Sequence, residues 1–297
     1  MAGALFCISE RYKIVAMDRR SFVQGAGAGL GAAVLSQASQ VKPVERKGKL
    51  KQSACRWCYS KVPVEDFAKE CARLGLKSVD LVQPNEWPVF RKYGLTMTMV
   101  GGGTTIPDGF NRKENHAGIE QRFRESVTRA AEFGAPSLIV FSGNRKGMSD
   151  EEGLENCVIG LKKVMPIAED KGLLVCMELL NSKVNHPDYM CDHTKWGVEL
   201  VKRVGSPQFK LLYDIYHMQI MEGDVIRTMR ENVQYIGHLH TGGNPGRNEI
   251  DDTQELNYKA IAKAVVEMGF QGYYAHEFIP KRDPLTSLSE AMDLCDV

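Results

Sequence analysis

From residue 53 onward, short apolar runs alternate with longer stretches whose apolar residues recur every three to four positions. The runs 53–57, 78–82, 96–100, 138–141, 174–178, 210–214, 235–240 and 273–277 predict eight strands, since brief apolar segments between turn residues mark strands covered on both faces. The intervening stretches predict helices. In 64–74 the apolar residues Val64, Phe67, Ala68, Cys71 and Leu74 form one helical face. Residues 114–133, 150–171, 194–204, 224–232 and 258–268 repeat that pattern, and 284–294 leaves room for only a thin last helix. Glycine follows Leu74, Phe133, Lys171 and Met268, where a left-handed cap ends a helix. Strict alternation implies parallel strands joined by right-handed crossovers. Eight such units favour a closed single (β/α)₈ TIM barrel over an open sheet, with no second domain and no solenoid repeat.

The first forty residues do not follow this pattern. Asp18-Arg19-Arg20-Ser21-Phe22-Val23-Gln24 precedes a Gly/Ala-rich apolar run, 25–35, and then Ser36-Gln37-Ala38. Charge, apolar run and small residues in that order predict a twin-arginine export signal over 1–40, recognised by the twin-arginine machinery and leading to the periplasm. Met17 stands directly before the arginines and is the expected start. Gly25, Gly27 and Gly29 follow no strand, so they are not a nucleotide loop. Residues 41–51 are basic and polar and read as a linker, which leaves 52–297 for the barrel.

Composition adds mainly exclusions. With 297 residues, a net charge of +1 and 43% hydrophobic residues, the chain has a sizeable core and no broad basic surface for nucleic acid. Cys55 and Cys58 form a C-x-x-C pair with no second pair following it. A disulfide, a zinc half-site or simple packing around Trp57 are all open, and packing is favoured. His116 is expected to flank a helix in solvent. His186 lies in a long loop after the fifth strand, which either covers the barrel mouth or is plain surface.

The chemistry collects at strand ends, where barrels of this kind place it. The fifth strand ends in Glu178, the sixth in Asp214, the seventh in His240 and the eighth in Glu277. Three carboxylates and one imidazole suit a single divalent ion, Mn²⁺, Mg²⁺ or Co²⁺, with Zn²⁺ also accommodated. Glu178 and Glu277 are the candidate acid–base pair for moving a proton next to a carbonyl through an enediolate.

At Glu178-Leu179-Leu180-Asn181, Tyr213-Asp214-Ile215-Tyr216-His217-Met218-Gln219, Asn244-Pro245-Gly246-Arg247-Asn248-Glu249 and His276-Glu277 the chain resembles the xylose isomerase-like sugar isomerase/epimerase superfamily, and within it hydroxypyruvate isomerase-like proteins. The resemblance runs from about Lys51 to Pro280. It implies one metal on Glu178, Asp214, His240 and Glu277, with both glutamates as acid and base. It further implies substrate contacts from His217 and Arg247, with Asn181 orienting the metal's neighbours. The expected activity is isomerisation of hydroxypyruvate to tartronate semialdehyde, or epimerisation of a ketose; a homo-oligomer is compatible. His240 departs from the pattern, standing where hydroxypyruvate isomerases often carry Gln. The alternatives are a sugar or inosose dehydratase on the same barrel, and an exported sugar-binding protein without turnover. A multi-metal phosphodiesterase or abasic-site endonuclease is disfavoured, because the third and fourth strands end without a ligand residue.

Overall fold

The structure is a computed structural model in which residues 44–297 are described. The export-signal expectation, residues 1–40, lies outside them. Nine parallel strands occur among the described residues: β1 (Lys51–Cys55), β2 (Ser78–Asp80), β3 (Thr96–Thr98), β4 (Val100–Gly101), β5 (Ser137–Val140), β6 (Leu174–Leu179), β7 (Phe209–Asp214), β8 (Ile236–Thr241) and β9 (Tyr273–His276). Their order is β3-β2-β1-β9-β8-β7-β6-β5-β4, so β1 pairs with β9 and the sheet wraps round on itself.

The two ends of that sheet are halves of the expected third strand, 96–100, which is broken at Met99. Met99 is buried with φ at 48°, in the left-handed region. Its amide takes a hydrogen bond to Ser137 Oγ (3.2 Å) instead of continuing the ladder. β3 thus pairs with β2 and β4 with β5. The barrel closes through one kinked strand.

Helices α1 (Val64–Leu74), α2 (Trp87–Lys92), α3 (His116–Phe133), α4 (Asp150–Glu169), α5 (Thr194–Val204), α6 (Ile215–Met221), α7 (Val225–Asn232), α8 (Tyr258–Glu267) and α9 (Pro284–Leu294) complete the element list, with three short 3₁₀ turns. α1 buries Phe67, Ala68, Cys71 and Leu74 and stops at Gly75, whose φ of 82° is easy only for glycine. α4 starts on Ser149, which caps the Glu152 amide. α2 and α6 were not expected. At six and seven residues they are too short to show a helical stripe, and α2 opens on a proline.

Residues 44–50 are irregular and are tied to the barrel by hydrogen bonds. Val44 N donates to Arg73 O (2.8 Å), Lys47 N to Asp296 Oδ2 (2.9 Å), and Arg46 pairs with Asp293 (2.8 Å). Two expectations are corrected. His116 opens α3 but is buried, its Nε2 2.8 Å from Phe110 O, because Phe110 and Gly160 close over it. Trp57 does not pack into the core; it is 41% exposed at the mouth of the barrel. Cys55 and Cys58 are free thiols.

The loop before α3 crosses the end of β5 by backbone contact: Phe110 N donates to Phe141 O (3.3 Å) and Asn111 N to Ser142 O (2.8 Å). At Gly109 an added Cβ would clash with the Phe141 and Ser142 backbone, which has no flexible end to move away. Gly109→Ala is therefore predicted to cost about 1–3 kcal/mol and to lower Tm by roughly 2–12 °C in a thermal melt. An unchanged midpoint would contradict this packing.

Candidate active site

The pleat and the register of the ladder decide which side chains meet. Asp214 pairs with His240, and Leu212 with His238, so the two histidines alternate with outward residues and both enter the barrel. Their rings lie edge to face, 5.1 Å apart. Glu178 pairs with Leu212 on the other side, and Glu277 follows directly on β9, its amide donating to Thr241 O (2.9 Å). One donor atom each from Glu178, Asp214, His240 and Glu277 falls within 4.8 Å of all the others, and all four residues are buried.

Local structure aims each group. Asp214 caps α6, its Oδ1 accepting from His217 N (3.1 Å), which leaves Oδ2 for the cluster. The same turn brings His217 back over that carboxylate. Arg247, with φ at 57°, comes from the tight turn after β8, where its amide donates to Gly243 O (2.7 Å). Its Nη2 donates to Asp214 Oδ2 (2.7 Å) and to Glu277 Oε2, and its Nε to Glu277 O (3.2 Å). The guanidinium lies over Trp57 (5.6 Å) and Tyr216 (5.2 Å). Trp57 Nε1 donates to Glu277 Oε1 at 2.6 Å.

Donors approach both ring nitrogens of His217. Asn181 Oδ1 is taken by the amides of Val184 (3.1 Å) and Asn185 (2.8 Å), so its Nδ2 and backbone N face His217 Nδ1 (2.6 and 3.2 Å). On the other side Nε2 lies 2.7 Å from Arg247 Nη1, which can only donate. Burial and Arg247 push this imidazole well below its ordinary value, so it is neutral. His217 and Arg247 thus stand together at the rim of the cluster, with Arg247 a donor to an incoming acceptor oxygen. His186 lies beside them, its ring 5.3 Å from that of His217, and Asn185 accepts from Tyr216 OH (2.9 Å). The loop after β6 covers the mouth at these residues.

Burial dominates the charges. It pushes the Asp214 carboxyl up to about 7, with Arg247 opposing and Glu277 and Glu178 adding. It also raises Glu178, against the neighbouring His240. Burial alone would raise Glu277 too, but Arg247, His240 and Trp57 hold it well below the usual carboxylate range. Burial disfavours charge on His240, and Cys55, Glu277 and Asp80 more than offset it.

Three carboxylates and an imidazole match the donors of a hard divalent ion. One atom sharpens the fit. His240 Nδ1 is buried 2.6 Å from Glu277 Oε2 and 3.4 Å from Glu178 Oε1, yet makes no hydrogen bond of acceptable geometry. Atoms converging on a common point, and not on each other, have this arrangement.

All seven residues singled out in the sequence (Glu178, Asn181, Asp214, His217, His240, Arg247 and Glu277) come together here. Three that were missed join them. Trp57 was assigned to packing. Cys55 and Asp80 lie just below the cluster, with His240 Nε2 3.7 Å from Cys55 Sγ and 3.2 Å from Asp80 Oδ2. A lone acid inside the apolar run 78–82 was the available signal for Asp80.

A parallel barrel with a carboxylate–imidazole cluster at its C-terminal mouth defines a class of enzyme folds. The chain belongs to the xylose isomerase-like TIM barrel family, which it matches over residues 59–296. It is similar to the hydroxypyruvate isomerase of Escherichia coli, at 30% identity over 55% of this chain and 65% of that one. It is also similar to the 2-oxo-tetronate isomerase of Haemophilus influenzae, at 23% identity over 77% and 93%. Among solved structures, an AP endonuclease of family 2 from Brucella melitensis superposes with a TM-score of 0.69, at 23% identity over 82% of this chain and 98% of that one. A 3-keto-D-glucoside 4-epimerase from E. coli gives 0.68, at 17% identity over 83% and 98%. At those identities the two structures bear on the fold alone. The sequence relatives named here are isomerases.

Because a bound ion requires Asp214 ionised, protons must compete with it. Below pH 7 the Mn²⁺ affinity, measured by calorimetry, is predicted to fall at least about tenfold per pH unit, since His240 must also lose a proton to bind. A flat profile from pH 8 to 5 would contradict the assignment of Asp214 to the site.

Proposed function

We propose that the chain is a divalent-metal-dependent isomerase of a small 2-keto-hydroxy acid, of the hydroxypyruvate isomerase type. The reading is carried by one juxtaposition: the four-residue donor cluster borders Arg247, a hydrogen-bond donor whose Nη1 lies 2.7 Å from His217 Nε2, where the acceptor oxygens of a substrate would sit. A carboxylate next to a ketone offers such acceptors, and a guanidinium can take it with two parallel bonds.

Glu178, Asp214, His240 and Glu277 would hold the ion, Mn²⁺ or Mg²⁺ by donor type. When bound, it would polarise the substrate carbonyl and acidify the neighbouring C–H. The two glutamates have environments that separate their roles. Arg247 and His240 keep Glu277 ionised, ready to accept the proton from the hydroxyl-bearing carbon. Glu178, the second glutamate of the cluster, would hand a proton to the former carbonyl carbon, and the proton taken up by Glu277 would replace it through solvent. The hydroxyl proton moves between the two oxygens, so the net change is a shift of oxidation level by one carbon. Trp57 fixes the Glu277 carboxylate by its Nε1–H and, with Tyr216 and His186, limits water at the mouth.

Ketose epimerisation is the second reading, favoured by a histidine at position 240 where hydroxypyruvate isomerases often carry Gln. It uses the same proton abstraction and differs in the face of return.

The reading is tested by deuterium exchange in D₂O with hydroxypyruvate and a panel of free ketoses at saturating metal, on samples quenched before NMR. Solvent deuterium is expected at the hydroxyl-bearing carbon. Glu277→Gln should abolish it, by 10²-fold or more at about general-base magnitude. Glu178→Gln should retain exchange but lose product. Exchange unaffected by Glu277→Gln would sink the assignment, and epimer in place of aldehyde would select the second reading.

We also propose that the chain is exported with its metal already loaded, from the twin-arginine pattern at Arg19-Arg20. Replacing both arginines with lysine should leave the protein in the cytoplasmic fraction on cell fractionation. Unchanged periplasmic recovery would contradict it.

A further inference from the structure

Below the cluster, the barrel interior is polar where hydrocarbon would be ordinary. Asp80, at the end of β2, is fully buried. Its Oδ1 accepts from the hydroxyls of Ser53 on β1 and Thr98 on β3. Its Oδ2 lies 2.5 Å from His238 Nε2 and 3.2 Å from His240 Nε2. A carboxyl that accepts from three hydrogen-bond donors, with His238 Nε2 beside it, is an acceptor only, hence ionised, and it costs several kcal/mol to bury unless its lone pairs are used.

We infer that Asp80 is a positioning residue for the metal centre: it holds the His240 proton on Nε2 and so turns the Nδ1 lone pair toward Glu178, Asp214 and Glu277. The inference rests on the metal-dependent reading above and deepens it. As a metal ligand His240 must be neutral with one N–H, and the nitrogen already hydrogen-bonded to an acceptor keeps it. His240 Nε2 faces Asp80, while Nδ1 faces the cluster without a hydrogen bond of its own. A carboxylate behind a ligating imidazole both sets the tautomer and raises the basicity of the ligating nitrogen.

A competing interpretation makes Cys55, Asp80 and His240 a second cation site, since their donor atoms are also within 4.8 Å of one another. The hydrogen-bond accounting disfavours it. Both Asp80 oxygens are already engaged, and His240 cannot offer Nε2 while that atom carries the proton. Ser53 and Thr98 have no reason to point at Asp80 in a metal site, but they are needed to hold an ionised carboxylate in place.

The test is made on the whole chain. Long-range ¹H–¹⁵N correlation of ¹⁵N-histidine-labelled protein, saturated with Mg²⁺, reads the His240 tautomer, assigned by its loss in His240→Gln. Mn²⁺ titrations compare wild type, Asp80→Asn, His240→Gln and the double variant, with the unfolding midpoint of each recorded. The expected results are an Nε2–H tautomer in the wild type, an Mn²⁺ affinity weakened about 10- to 100-fold by Asp80→Asn, and less than about a twofold further loss when Asp80→Asn is added to His240→Gln. An Nδ1–H tautomer overturns the proposal without any variant. So does an Asp80→Asn affinity within about twofold of wild type, or the same loss in the His240→Gln background, which would mark a purely structural role. Should Asp80→Asn not fold, the wild-type tautomer decides alone. A wild type that binds neither ion overturns the metal reading itself and this inference with it, an outcome separate from a bound ion with the wrong tautomer.

Discussion

Three carboxylates are buried together at the mouth of this barrel, and the arrangement around them follows from the cost of that burial. Each ion moved out of water costs several kcal/mol unless it is paired, and like charges a few ångströms apart add to the penalty. Arg247 meets two of the three, Trp57 donates to one, and His240 approaches two more closely than any apolar residue could. Even so, burial lifts Asp214 to about 7. Compensation by protein groups is therefore partial, and a divalent cation is the group whose charge and oxygen preference would complete it.

The same constraint explains why the scaffold is rigid where it is. Asp214 ends β7 and caps α6 with one oxygen, so the other has little freedom. Asn181 spends its carbonyl on the loop it begins and its amide on His217, which holds that ring in place. Arg247 is carried on a turn with a left-handed residue and is clamped through both its backbone and its guanidinium. Sites held this way on strand ends and tight turns keep their geometry before a substrate arrives.

Much of this was legible in the chain, for physical reasons. Strands covered by helices on one side and packed inside on the other read as apolar runs, and glycine after Leu74, Phe133 and Met268 marked helix ends that the backbone does take in the left-handed region. The ligand cluster was legible because strand ends share one rim. What escaped detection had weak local signals. The break at Met99 occurs at a residue with no turn preference, and is set by Ser137 on the neighbouring strand. α6 is started by the same aspartate that ends β7 and buries most of its seven residues, so it shows no polar face. Trp57 read as packing because its role depends on Glu277, 220 positions away. Asp80 read as one polar residue in a strand, and only the closed barrel brings Ser53, Thr98 and two histidines of β8 around it.

The most direct measurement of the central claim is anomalous diffraction at the manganese edge from crystals of Mn²⁺-loaded protein. The account predicts one anomalous peak, bounded by Glu178, Asp214, His240 Nδ1 and Glu277, with Arg247 released from Asp214. A map with no peak among these residues, or with the ion against Cys55 and Asp80 while Arg247 still bridges Asp214 and Glu277, would contradict it.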